Sequence, residues 1–172
     1  MDFSTSIAVE RKLVNDERTF RRCTSFLNPK GDDVVLLIED KERNTRLDLL
    51  EMDYYRNLIV DDRFSQHLEQ TETVRTNTFS CRSESMILNY EDVRVLSAII
   101  SKQIRKHYTS GKACLNIWHF DAENGTVSSL PMTITNWRHE VLGGIQIYIS
   151  DAVEKEIRTM AAASLNKETG GC

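Results

Sequence analysis

Phe20, Arg22 and Phe26 stand at even spacings in "TFRRCTSFL", so a regular strand presents all three on one face. Lys12, Arg18 and Lys30 flank them. Aromatic rings interleaved with guanidinium and ammonium groups suit an unpaired nucleic-acid strand: bases stack on the rings and phosphates take the cations. Each stacked base contributes about 1–3 kcal/mol, and no base-specific reading is required. The predicted binding set is therefore Lys12, Arg18, Phe20, Arg22, Phe26 and Lys30. Packed instead under a helix, Arg22 would be buried and in need of a partner, which is costly.

Charge is segregated along the chain in a way that permits such a face. From Arg11 to Lys30 six Lys or Arg stand against Asp16 and Glu17. From Arg94 to Lys112 there are five and no acid, whereas Asp32 to Asp62 holds ten acids and four bases. The whole chain is acidic, with a net charge of −4, which argues against a dedicated duplex-DNA binder. A local basic face on an acidic chain remains compatible with this balance. At Lys102–Lys106 the helix dipole alone is a sufficient reason for the basic run.

Other chemistries find less support. "HFDAEN" and "WRHE" place His near acids, but neighbours in sequence rarely form a dyad. There is no G-x-S-x-G, no phosphate-binding GxxxxGK[ST] and no H-E-x-x-H, so no catalytic residue is predicted and the protein is not read as an enzyme. The four cysteines and four histidines are scattered without ligand spacing. No metal, no cofactor and no structural disulfide are expected. No apolar run approaches a membrane span, and "MDFSTSIAVERKL" lacks an apolar signal core. The expected setting is intracellular, nuclear or cytoplasmic.

The elements that must position these residues are read from periodicity. "SIAVERKLV" and "TFRRCTSFL" are extended, "NPKGDD" is a turn, and "VVLLIED" is a short apolar run with the character of a buried strand. "TRLDLLEM" reads as a returning strand, and "DYYRNLIVDDRFSQHLEQ" as a helix with Asp53 at its N-cap. "ETVRTNTFSC" and "SMILNY" read as strands before the helix "EDVRVLSAIISKQIRKHY". "ACLNIWHF" and "SLPMTIT" form a third hairpin, after which Asn136 caps "WRHEVL" as a helix. Gly143–Ser150 fits strand or helix, and "DAVEKEIRTMAAASL" is helical.

"MILNYEDVRVLSAI" and "MTITNWRHEVLGGI" share Met, an aliphatic residue two places on, and the pairs Leu96/Leu142 and Ile99/Ile145. Internal repetition of a β-hairpin–helix unit is the reading this favours. The expectation is one α+β domain over residues 1–165, in units of about 5–70, 71–110 and 111–165, with a disordered tail at 166–172. Its antiparallel sheet would carry helices on one face and leave the other open. The apolar stretch "VLGGIQIYISDAVEKEI" predicts a homodimer.

"ERTFRRCTSFLNPKGDDVVLLIEDKERNTRLDLLEMDYYRNLI" resembles one repeat of the purine-rich-element-binding (Pur) proteins, through Phe20, Asn28–Gly31, "LLIED" and "RLDLLEM". "SMILNYEDVRVLSAII" is similar to the end of the single-stranded-DNA-binding transcriptional coactivator domain and of Whirly proteins. The resemblance implies a four-stranded sheet plus helix, often paired, that binds single-stranded DNA or RNA in transcription, replication or RNA handling. The alternative is a protein-interaction module without nucleic-acid binding, such as a small regulatory or viral accessory protein.

Overall fold

Aliphatic residues are densest at "DVVLLI", and there the chain forms a strand buried at all six positions. A computed structural model of the chain describes residues 20–69 and 89–163. In chain order β1 is Cys23–Leu27, β2 Asp33–Ile38, α1 Leu47–Val60, α2 Tyr90–Ser110, β3 Cys114–Asp121, β4 Thr126–Pro131, β5 Trp137–Leu142, β6 Ile145–Ser150 and α3 Asp151–Ala163. A 3₁₀ turn, Asp62–Phe64, follows α1. The protein is α+β, and its described residues form two antiparallel sheets, one of four strands in the order β1-β2-β3-β4 and one of two, β5-β6.

The chain divides into two compact units, Met1–Thr133 and Ile134–Cys172. The sequence, which has no Gly-, Ser- or Pro-rich linker, predicts one.

In the first unit Val34, Leu36 and Ile38 of β2 join Cys114, Trp118 and Phe120 of β3 under Leu96 and Ile100 of α2. Strand side chains alternate, so Val35 and Leu37 point to the opposite face. There Phe26, opposite Val35 in the ladder, meets the ring of Tyr54 on α1 at 5.4 Å, edge to face. Asn57 of α1 exchanges two hydrogen bonds with the backbone of Thr133, at 2.8 and 2.9 Å. The four-stranded sheet therefore carries a helix on each face, which corrects the expectation of helices on one face. The physical reason lies in β2: an unbroken apolar run has no polar face to give to solvent, so both sides must be covered.

Three element assignments change. "RLDLLEM" enters α1 instead of forming a strand, because the buried carboxylate of Glu39 receives the backbone N–H of Leu47 at the helix start. Asp53, expected as N-cap, lies inside α1 and is fully buried. "WRHEVL" is β5, not a helix, and Gly143–Ser150 resolves as the turn and β6. Gly143 and Gly144 both have positive φ, 58° and 84°, the backbone that a two-residue hairpin turn requires.

These corrections bear on the repeat. Leu96 is buried on a helix, while Leu142 ends an exposed strand, so the two aligned segments adopt different structures. The strands expected at "ETVRTNTFSC" and "SMIL" lie outside the described residues, as does the 166–172 tail. Asn89 caps α2, accepting the Glu91 N–H at 3.0 Å, and Tyr90 already belongs to the helix.

Candidate functional site

The predicted strand face is only partly open. β1 begins at Cys23, so Phe20 and Arg22 precede it. Phe20 is exposed at 70%. Arg22 is half-buried, and its backbone N–H donates to Glu39 Oε2 at 3.1 Å. Phe26 is turned onto Tyr54 and serves packing. Lys30 pairs with Glu69 at 2.9 Å. Lys12 and Arg18 lie outside the described residues. Of the four described members of the set, Phe20 is open to solvent, Arg22 is half-buried, Phe26 packs on Tyr54 and Lys30 is paired.

A basic and aromatic surface does form on α2. At about 100° per residue, Tyr90, Arg94, Arg105 and Tyr108 fall within an arc of about 60°, with Lys102 beside them. All five are exposed, on the side away from Leu96 and Ile100. Between Asp92 and Cys114 the sequence has no acid. The Arg94 guanidinium lies over the Tyr90 ring, 4.7 Å from its centroid. Burial, then the charges of Lys106 and Arg21, push His107 below the ordinary imidazole value, as a positive surround demands.

Arg21 has a different task. Its guanidinium donates to the carbonyls of His107 at 2.8 Å and Tyr108 at 3.1 Å, and lies 5.8 Å from the Tyr108 ring centroid. It adds a charged donor to the last-turn carbonyls, where His107 O also receives the Gly111 N–H at 3.2 Å, and answers the negative end of the dipole. Phe20, one residue away, therefore sits at the same end of α2. Gly111, with φ of 71°, closes that end in the left-handed conformation.

A second constellation lies on the α1 face, which sequence reading missed. Asp33 of β2 and His119 of β3 are directly opposite in the ladder. Asp33 Oδ1 stands 2.7 Å from His119 Nδ1, and Oδ2 stands 2.6 Å from His67 Nδ1. An ionised carboxylate only accepts, so Nδ1 of each ring donates to Asp33, and the Tyr54 hydroxyl stands 3.1 Å from His67 Nε2. Burial raises the Asp33 carboxyl, and the hydrogen bonds and charges of His67 and His119 outweigh it, leaving it below the ordinary value. Burial, then Tyr55 and Asp33, push the Tyr54 phenol above its ordinary value, which keeps it protonated. Asn28 Nδ2 donates to Asp32 at 2.7 Å and to Asp33 at 3.3 Å. His67 is buried while the His119 side chain is 40% exposed.

Nothing in the sequence spacing pairs residues 33, 67 and 119. Only the β2–β3 register and the turn after α1 bring them together. The signals present were the "GDD" turn and the His beside acids in "HFDAEN".

Fold and sites define an α+β protein: an antiparallel sheet between two helices, then a hairpin–helix unit, with a basic face on one helix. No family model, curated protein or solved structure matches the chain. Among the described residues no helix is long and apolar enough to cross a membrane.

Proposed function

We propose that the protein binds single-stranded DNA or RNA along the solvent face of α2, in a regulatory role in transcription, replication or RNA handling. The observation that carries this reading is the basic and aromatic face of that helix, acid-free from Val93 to Tyr108, with Glu91 and Asp92 confined to its first turn. Arg94, Lys102, Arg105 and Lys106 take phosphates, while Tyr90, Tyr108 and Phe20 offer rings for bases. A single strand is preferred because its bases are unstacked and reach these rings, whereas a duplex keeps them inside. α2 has 21 residues, a length of about 31 Å at 1.5 Å per residue, room for several nucleotides. The resemblance to Pur, Whirly and coactivator domains favours the same ligand by a different surface.

The protein acts as a homodimer through its C-terminal unit in this reading. Val153, Ile157 and Met160 recur at helical spacing on α3 and are exposed. A short helix that buries so little needs a partner to persist. The free thiols of Cys23 and Cys114 accord with a nuclear or cytoplasmic setting.

Fluorescence anisotropy with labelled single- and double-stranded oligonucleotides at two salt concentrations tests the reading. Tighter binding of the single strand, weakening with salt, supports it. No binding of any single strand at low salt sinks it. The exposed apolar residues of the C-terminal unit, Leu142, Ile145, Ile157 and Met160, would then favour a protein-interaction module.

A further inference from the structure

Asp32, Asp33 and His119 converge where the turn before β2 meets β3. One ligand-type atom from each lies within 4.8 Å of the others. Partners outside the trio hold its two carboxylates. Asn28 Nδ2 donates to both carboxylates, and His67 donates to Asp33 Oδ2 at 2.6 Å. Such outer contacts are what orient metal ligands. The local charge points the same way. Two adjacent carboxylates share one amide, while Lys30, close in sequence, is paired with Glu69.

We propose that Asp32, Asp33 and His119 bind a divalent transition-metal cation, with water completing its shell. The cation takes the place of the proton between His119 Nδ1 and Asp33 Oδ1, and the ring proton then resides on Nε2. In a tetrahedral shell with bonds of about 2.1 Å neighbouring ligand atoms stand about 3.4 Å apart, so the widest pair, within 4.8 Å at present, closes by up to about 1.4 Å when the ion binds. Asp32 is half-buried and can supply that movement. An imidazole nitrogen beside two carboxylates suits Zn²⁺ better than Mg²⁺ or Ca²⁺, which favour all-oxygen shells. Three protein ligands leave a position open to solvent, on the side where His119 is exposed. The site is on the α1 face and does not depend on nucleic-acid binding.

The test is calorimetric titration of the chelator-stripped full chain with ZnCl₂, and in parallel with MgCl₂. One Zn²⁺ per chain, bound at least tenfold more tightly than Mg²⁺, is expected. His119→Gln and Asp32→Asn should each weaken Zn²⁺ binding at least tenfold, while His139→Gln, on β5, should not. No Zn²⁺ binding up to millimolar concentration overturns the proposal. So does stoichiometric binding that survives both His119→Gln and Asp32→Asn, since the ion then sits elsewhere. Should either variant lose its circular-dichroism signature, the imidazole resonances of the wild type decide instead. Zn²⁺-dependent shifts at His119 support the site, and shifts confined to other histidines overturn it.

Discussion

Glu39 Oε1 accepts the backbone N–H of Leu47 at 3.1 Å, so a fully buried carboxylate closes the N-terminus of α1. Its other oxygen receives Arg22 N–H at 3.1 Å and Arg43 Nε at 2.9 Å, tying the residue before β1, the connecting loop and the helix to one side chain. Carboxylates are favoured at helix N-termini because the orphan N–H groups and the dipole both attract them. Arg46, at the N-cap, makes no side-chain cap of its own.

Glu39→Ala should therefore be among the most damaging substitutions in the first unit. Removing one partner of a buried ion pair costs about 3 kcal/mol, and the uncapped helix start adds to this. Urea unfolding monitored by circular dichroism measures it. A loss under about 1 kcal/mol would mean that α1 is started by something other than this carboxylate.

The Asp33 carboxyl gives a pH signature. Its folded-state value lies below the ordinary one, because the hydrogen bonds and charges of His67 and His119 outweigh the effect of burial. Such a group stabilises the fold above its unfolded value of about 3.9, and the contribution is lost as pH falls through the lower folded value. Asp33→Asn should be less stable than wild type at neutral pH, with the gap narrowing below about pH 4. Thermal midpoints of both proteins across that range check the sign. A gap that widens in acid would contradict the network as drawn.

Phe20 and Phe26 should separate cleanly. Phe26→Ala removes a ring packed on Tyr54 and should cost about 1–2 kcal/mol of stability, less than a fully buried ring would. Phe20→Ala should leave stability within about 0.5 kcal/mol and weaken oligonucleotide binding. Denaturation and anisotropy on the two variants give four numbers. Unfolding of the Phe20 variant would make that ring a core residue.

Replacing Arg94, Lys102 and Arg105 together by Ala should lower affinity for single strands and flatten its salt dependence. Each lost phosphate contact reduces the slope of log K against log salt by about 0.7, so three reduce it by about 2. An unchanged slope would place the ligand on another surface.

Gly144→Ala tests the β5–β6 turn. Its φ of 84° disfavours any Cβ, while no atom stands within 4 Å of one, so the cost is backbone alone, about 1–2 kcal/mol. Were this segment helical, the same change would stabilise it by about 1 kcal/mol. Hydrogen exchange of the amides from 137 to 150 reads the sign directly.

Period and composition were enough for the strands β2 and β3, for α2 and α3, and for the α+β class. "VVLLI" is apolar without interruption, and "EDVRVLSAII" has acids first and a 3.6-residue stripe. Those are local properties, set by side-chain alternation and by which face must leave water. The same run in β2 already carried the fact that both faces are covered, because it has no polar side to expose.

What tertiary structure decided are the choices that local chemistry leaves balanced. "RLDLLEM" suits strand or helix, and Glu39, eight residues before Leu47, tips it to helix by supplying a buried acceptor. "WRHEVLGGIQIYIS" fits either period until two glycines with positive φ fold it back on itself. Phe20 and Phe26 look equivalent in sequence, yet Phe26 finds Tyr54 of α1 over its face of the sheet and Phe20 stays exposed. Asp33, His67 and His119 are far apart along the chain and meet only through strand register and the turn after α1. Register is set by the summed burial of two whole strands, a sum over residues distant in sequence, and no single stretch contains it.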